Sequence, residues 1–355
     1  MAGTVYSTLK PFLYPERLQA IGAGRVPSPV YVRIKPTNVC NHACWFCAYR
    51  SDAVSLGSGM ELRDRIPRDK MREICDDLIE IGVEAVTFSG GGEPLIYPHI
   101  VETVDRLASG GIRIGALTNG SMLKGKVADA FARHGTWLRV SIDGWDGPSY
   151  AQARKVDVDE FDKVIGNLAA FAARDTRCAL GASVIVTESN APHIHGLCSR
   201  LKDAGIGHVK LSPCIVHDSG ARNDAYHARI ETTVRSEIDR VRSIEDGHFR
   251  LVDHYHALGG RFDRQGHRCP MAYLLTVIGA DLSVYTCQDK AYTPGGALGS
   301  IRDMRFRDLW FSEEIASRLA AIDPSVACRH HCVASTKNEW INELLSLDPE
   351  HARFV

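Results

Sequence analysis

Two hydrophobic rhythms alternate along the first two thirds of the chain. Short apolar runs at residues 30–34, 85–89, 112–117, 137–142, 179–186 and 208–211 read as strands. Between them the 3.6-residue period of an amphipathic helix recurs. Residues 69–81 carry it through Met71, Ile74, Leu78 and Ile81, and residues 100–107, 127–134, 161–173 and 194–204 repeat it. Strands alternating with helices in this way predict an α/β fold, a parallel sheet or barrel built from right-handed βαβ units. Chemistry in such folds gathers at the carboxyl ends of the strands.

The pattern changes near residue 269. Residues 273–278 and 283–286, separated by Gly279-Ala280-Asp281, predict a β-hairpin, and Leu309, Ile315 and Leu319 predict a helix over 306–322. These make a small separate module. The expected organisation is therefore a lead-in over 1–29, a βα-repeat domain over 30–215, a bridging segment over 216–268 with a helix at 230–241, and a C-terminal domain over 269–355.

Charge adds little: 42 Lys and Arg balance 43 Asp and Glu in 355 residues, so nothing points to a nucleic-acid partner. The N-terminus lacks the basic start and apolar run of a signal peptide, and no window is long and apolar enough to cross a membrane. The expectation is a cytoplasmic protein without a membrane partner. Cysteine changes the picture more. Of 11 cysteines, three fall at Cys40, Cys44 and Cys47, and four lie late, at Cys269, Cys287, Cys328 and Cys332. In a cytosolic protein of this size, such clusters suit metal binding better than disulfides.

The run Asn38-Val39-Cys40-Asn41-His42-Ala43-Cys44-Trp45-Phe46-Cys47 follows the first predicted strand. Three thiolates at that spacing can ligate three irons of a four-iron cluster and leave the fourth iron open. A structural zinc site wants four closed ligands, and His42, inside the spacer, is awkwardly placed to be the fourth. This run resembles the CxxxCxΦC signature of the radical S-adenosylmethionine (radical SAM) superfamily, with Phe46 in the aromatic position. The resemblance implies a partial (β/α)6 TIM-like barrel. It also implies a [4Fe-4S] cluster whose open iron chelates S-adenosylmethionine, and a 5′-deoxyadenosyl radical that abstracts a substrate hydrogen atom.

Further strand ends fit that family. Ser89-Gly90-Gly91-Gly92-Glu93-Pro94 resembles its GGE motif, which implies a contact from Gly91, Gly92 and Glu93 to the methionyl ammonium. The glycines would let the backbone approach the ligand closely. Thr118 and Asn119, and then Ser141, resemble cofactor-lining segments. Ser141 is a candidate for the methionyl carboxylate or ribose, and Arg154 for a charge-assisted bond to the carboxylate; a solvated helix position is the plain alternative for Arg154. Asp143 is expected to cap the following turn.

Cys269 and Cys287 flank the predicted hairpin, and Cys328 and Cys332 follow the predicted helix. Folding the hairpin back brings four thiols together for a second four-iron cluster or a tetrahedral zinc. This layout resembles the twitch subdomain, a shortened relative of the SPASM domain. The 17 residues between Cys269 and Cys287 match aminocyclitol-dehydrogenase members. The C-x3-C closing pair and Leu282, where a glycine is usual, depart from the pattern. The resemblance implies an auxiliary [4Fe-4S] cluster that accepts an electron, hence oxidation of a secondary alcohol.

Cys214, just past the sixth strand, is a candidate hydrogen-atom donor, which would make the enzyme an epimerase. Cys75, Cys178 and Cys198 read as packing residues. Asp289 reads as a turn aspartate, and His330 and His331 as surface residues. The short lead-in leaves no room for a precursor-binding domain. A small-molecule substrate is therefore expected, a sugar, cyclitol or nucleoside-like alcohol, with a flavodoxin or ferredoxin as electron donor. Peptide or protein side-chain oxidation is the runner-up, and a non-catalytic iron–sulfur carrier is the reading from another class.

Overall fold

The computed structural model describes residues 6–51, 53–54, 56–256, 262, 266–328, 331–348 and 350–354. After α1 (Pro15–Gly22) the chain enters β1 (Tyr31–Ile34), then repeats strand and helix. The units are α2 (Arg68–Glu80), β2 (Ala85–Phe88), α3 (Ile100–Ser109), β3 (Arg113–Thr118), α4 (Gly125–His134), β4 (Gly135–Ser141), α5 (Gly147–Arg154), α6 (Glu160–Ala172), β5 (Ala179–Val186), α7 (Ile194–Asp203) and β6 (His208–Pro213). There follow α8 (Gly220–Ala228), α9 (Glu231–Arg242), β7 (Arg250–Asp253), α10 (Met271–Leu274), β8 (Leu275–Ile278), β9 (Ser283–Tyr285), β10 (Ala297–Ser300), α11 (Phe306–Trp310), α12 (Glu313–Ala320), α13 (Pro324–Ala327) and α14 (Ser335–Ser346).

All ten strands form one sheet in the order β10-β9-β8-β1-β2-β3-β4-β5-β6-β7. From β8 through β7 every pairing is parallel. Alternate strand positions on one face are fully buried: Val32 and Ile34, Ile114 and Ala116, Leu138 and Val140, Val209 and Leu211. They pack with Leu78, Val104, Phe131, Leu168 and Ile238 of the helices in one continuous core. Each such side chain contributes about 1.5–3 kcal/mol by leaving water. The opposite strand face, carrying residues such as Arg33, Arg139 and Lys210, is only half-buried. This is the TIM-like half-barrel.

Three expectations change. The hairpin is not a separate sheet: β8 pairs in parallel with β1, aligning Tyr31 with Leu275 and Ile34 with Ile278. A seventh parallel strand, β7, lies in the bridging segment; its half-exposed positions gave no apolar run. The helix over 306–322 is broken between α11 and α12, where Ser312 caps α12 by accepting from Ile315 N at 3.3 Å. Leu282 explains its own oddity. It holds φ +67° in the hairpin turn, the left-handed region in which glycine is free of strain.

Candidate active site

The loop after β1 is pinned from several sides. Asn38 N donates to Asp64 O at 2.9 Å and Asn38 Nδ2 to Glu61 O at 2.9 Å, while Tyr292 Oη donates to Asn38 Oδ1 at 2.5 Å. The turn after β2 then docks on it: Gly92 N donates to Thr37 O and Glu93 N to Val39 O, both at 2.9 Å. A Cβ on Gly91 would stand 2.1 Å from Asn38 Oδ1, and one on Gly92 only 1.9 Å from Val39 O. The close packing of this turn on the cysteine loop by itself demands both glycines, whatever approach to a ligand they also allow.

On its far side the loop rests on α5, with Ala43 N donating to Arg154 O at 2.9 Å and Trp45 N to Ala153 O at 3.3 Å. Cys40, Cys44 and Cys47 then face a cleft of about 210 Å³. Phe46, Gly91, Gly92, Glu93, Thr118, Asn119, Ser141 and Arg154 all line it, with His42, Asp143 and Ile185. Burial pushes the Cys40 thiol up and the Cys44 thiol up to about 11, against the pull of Arg154 on Cys44.

Glu93 is buried and its carboxylate accepts from three donors: Leu95 N at 2.9 Å, Thr118 Oγ1 at 2.5 Å and Asn119 N at 2.7 Å. Burial raises its pKa while these donors oppose the rise. The ends of β2 and β3 are thus tied through one carboxylate. Asp143 does not cap a turn. It is buried, pairs with Arg154, and accepts from Ile185 N at 2.7 Å; Asp146 is the cap of α5 instead, accepting from Ser149 N at 2.8 Å. Arg154 is likewise buried, not solvated. Burial opposes its charge, but Asp143, Tyr150 and Cys44 outweigh this and hold its pKa above the ordinary value.

His42 is held neutral, at about 3, by burial and by Arg154. Its Nε2 lies 3.0 Å from Ser121 Oγ, which in turn bonds Glu160. The buried atoms His42 Nδ1 and Arg154 Nε, on residues that line the cleft, have no hydrogen-bond partner, and neither has Ser89 Oγ just past β2. Buried polar atoms are rarely left so unless a ligand meets them. Three convergent thiols, a fixed guanidinium and these orphan atoms fit a four-iron cluster with one open iron and an amino-acid-bearing cofactor.

The four thiols of the second group lie within electrostatic reach of one another. The Cys269 thiol is pushed up to about 12 by burial and then by Cys332 and Cys328, and Cys287 is raised by burial, Asp289 and the other three. Asn338 Nδ2 donates to Cys269 Sγ at 3.4 Å, and Ala334 N to Cys332 Sγ at 3.4 Å. Among the described residues, no group of three or more His, Cys, Asp or Glu is arranged to hold a single metal ion. His330 lies outside the described residues, and His331 packs edge-on to Phe262 at 5.9 Å.

Sequence reasoning missed Lys35. It is fully buried, its ammonium bonds Tyr49 Oη at 2.6 Å and Gly90 O, and it stands 4.4 Å from the Tyr49 ring centroid. Burial, then Arg33, lower its pKa to about 7, while Asp289, Cys47 and Cys287 oppose them. Lys35 thus lies within electrostatic reach of both cysteine groups. It stands one residue past β1, and a single lysine between the strand and the cysteine run was its only sign in the sequence. Cys214 is buried with its thiol pushed up to about 12 by burial, and it does not line the cleft. Cys75, Cys178 and Cys198 are buried, each also raised to about 12 by burial.

The family model for the radical SAM superfamily matches residues 34–192. The chain is 32% identical over 126 residues to the GTP 3′,8-cyclase of Synechococcus elongatus, covering 34% of this chain and 36% of that one. It is 22% identical over 210 residues to the antilisterial bacteriocin subtilosin biosynthesis protein AlbA of Bacillus subtilis, covering 58% and 44%. The matches span between about a third and a half of the length of these curated relatives. Among solved structures, Streptococcus suis SuiB bound to S-adenosylmethionine aligns with a TM-score of 0.63 at 14% identity, over 89% of this chain and 74% of that one, which shows a shared fold. No helix among the described residues is long and apolar enough to cross a membrane. With a cleft that fits a [4Fe-4S] cluster and S-adenosylmethionine, the chain carries over residues 34–192 a domain that matches the radical SAM superfamily.

Proposed function

We propose that this radical SAM enzyme carries an auxiliary cluster and oxidises a secondary alcohol of a small sugar, cyclitol or nucleoside-like molecule to a carbonyl. The observation that carries this reading is that Cys269, Cys287, Cys328 and Cys332 lie within electrostatic reach of one another in a buried setting. Four thiols in a low-dielectric site cannot all ionise unless metal charge compensates them. Four protein ligands also fill a four-iron cluster, which suits it to electron transfer. When bound, the cofactors supply a 5′-deoxyadenosyl radical that takes a hydrogen atom and an auxiliary cluster that takes an electron.

The chain's residues do the rest. Gly91, Gly92 and Glu93 present the ammonium-binding edge, with Thr118 and Asn119 fixing the Glu93 carboxylate. Arg154, held by Asp143, places a permanent positive charge for the methionyl carboxylate, and Ser141 faces the same cleft. Phe46 closes the wall beside Cys47 and keeps water out. The Cys214 thiol is not among the cleft's lining residues, which favours dehydrogenation over epimerisation through that thiol. A flavodoxin- or ferredoxin-type donor supplies the first electron.

Nucleotide-acting names among the relatives support the nucleoside-like end of this class. Peptide side-chain oxidation is the second reading, favoured by the likeness to a bacteriocin biosynthesis protein. The test is anaerobic reconstitution followed by a screen of deuterated sugars, cyclitols, nucleosides and peptides. Label in 5′-deoxyadenosine and a product two hydrogens lighter support the dehydrogenase. A product of unchanged mass carrying solvent deuterium overturns it in favour of epimerisation, and no 5′-deoxyadenosine with any substrate overturns the enzyme reading.

A further inference from the structure

Along β1–β6 the strand positions on the half-barrel's concave face carry charge of one sign only. Strand register places Arg33, Thr87, Gly115 and Trp137 in one row, and Leu117, Arg139, Gly181 and His208 in another. Two glycines confirm which way this face points. A Cβ on Gly115 would strike the Trp137 ring at 2.3 Å, and one on Gly181 the His208 ring at 2.2 Å, so these rings lie across the concave side. Along this face of β1–β6 the sequence places Arg33, Arg113, Arg139 and Lys210 and no acidic residue. In a chain of net charge −1 that imbalance is local, not compositional.

Arg33 and Arg139 are half-buried, and the Nε of each is buried without a hydrogen-bond partner. Aromatic rings hold both guanidinium groups. Arg139 stands 5.6 Å from the Trp137 ring centroid and 5.9 Å from that of Tyr6, and Arg33 stands 5.6 Å from that of Tyr31. Arg139 Nη1 also donates to Tyr6 Oη at 2.9 Å. Stacking fixes the plane of a guanidinium while leaving edge donors for an anion. The layer also adjoins the cleft. Leu117, the register partner of Arg139, lines it, and Ser141 lies two residues along β4, roughly 7 Å nearer the strand ends.

We propose that this concave face binds the substrate and takes its acidic part, carboxylate or phosphate groups, on Arg33 and on Arg139. The inference rests on the enzyme reading above and narrows its substrate to an acidic one. It places the reacting carbon toward Ser141 and the acidic group deeper in the half-barrel. Leaving two partly desolvated cations unmatched would count against a neutral analogue of the same shape.

The test is binding, not turnover. Pyrophosphate and citrate serve as probes of the phosphate and carboxylate classes, titrated calorimetrically into the reconstituted protein at matched ionic strength. The variants are Arg33→Gln with Arg139→Gln, Arg33→Lys with Arg139→Lys, and the exposed control Arg133→Gln, each checked for iron content and circular dichroism. The expected result is that at least one probe binds the natural protein about tenfold more tightly than the double Gln variant. The Arg133→Gln control should match the natural protein and the double Lys variant should fall between. The tighter probe identifies the class. Equal binding to the natural protein and a folded double Gln variant, or no binding of either probe, overturns the proposal. Because no turnover is measured, failure of the dehydrogenase reading would leave this result standing, and the reverse holds as well.

Discussion

Gly92→Ala is the sharpest perturbation of the site, because the added methyl meets backbone and not a movable side chain. It would lie 1.9 Å from Val39 O, 2.4 Å from Val39 C and 2.5 Å from Asn38 C. Relief requires the turn after β2 to lift off the cysteine loop, breaking the bonds from Gly92 N to Thr37 O and from Glu93 N to Val39 O. Overpacking costs about 1–3 kcal/mol, and two backbone hydrogen bonds add about 0.5–1.5 kcal/mol each. The sum, about 2–6 kcal/mol, is a large share of a domain's stability of about 5–15 kcal/mol. The expected outcome is a lower urea midpoint for the apo-protein and loss of iron from the first site after anaerobic reconstitution. Gly166→Ala is the control: Gly166 lies inside α6 with nothing within 4 Å of its added methyl, so it should stabilise by about 0.5–1 kcal/mol. If Gly92→Ala unfolds within 0.5 kcal/mol of the natural protein, roughly the limit of a neutral surface change, and keeps its iron, the docking argument is wrong.

Asp143→Asn keeps an oxygen for Ile185 N but leaves Arg154 buried without its counter-charge, so it should cost about 3–5 kcal/mol in urea unfolding, and adding Arg154→Met should recover most of that. Cys269→Ala with Cys287→Ala should lower the iron count from about eight to about four per chain, and an unchanged count would remove the auxiliary cluster. Burial, then Arg139, hold His208 down at about 4. The unfolded chain therefore takes up a proton near pH 6.5 that the folded chain refuses until about pH 4, so stability falls as pH drops through that window. After allowance for partial exposure the loss is about 1–2 kcal/mol. His208→Gln should flatten the pH dependence of the unfolding midpoint, and an unaltered slope would contradict the assignment.

Periodicity and motif spacing carried much of this site. The first six strands and the helices α2, α3, α4, α6 and α7 lie where the two hydrophobic rhythms put them, because the strand face that packs on helices has to be apolar. Spacing alone marked Cys40, Cys44 and Cys47, and the strand-end rule found Glu93, Thr118, Asn119 and Ser141. What stayed hidden were facts about pairs distant in sequence. The Asp143–Arg154 pair joins a strand end to the last turn of α5, and neither residue alone shows whether it is solvated. Asn338 reaches Cys269 across 69 residues. β7 and α14 were missed for the opposite reason, since their mixed polarity hid a position set by tertiary pairing.

The largest of these hidden facts is the seam between β1 and β8, and it bears on how the two cysteine groups act together. Lys35 N donates to Ile278 O at 2.9 Å, so the strand that launches the first cysteine loop is also the strand on which the C-terminal hairpin is built. Tyr292 reinforces the seam. It is buried, holds φ +61°, receives Ala280 N at 3.1 Å and donates to Asn38 at 2.5 Å. A non-glycine residue held at such a φ costs about 1–3 kcal/mol, and it persists only where surrounding contacts fix it. Here those contacts include one to the hairpin, one to the residue two before Cys40, and a bond from Gly59 N to Tyr292 O at 2.8 Å. The C-terminal thiols are therefore not carried on an appendage free to move relative to the first cleft. Cys269 and Cys287 flank β8 and β9 of the same sheet whose β1 launches the first cysteine loop, the fixed arrangement that the proposed electron transfer would need, and the buried Lys35 ammonium, one residue past β1, lies within electrostatic reach of both groups.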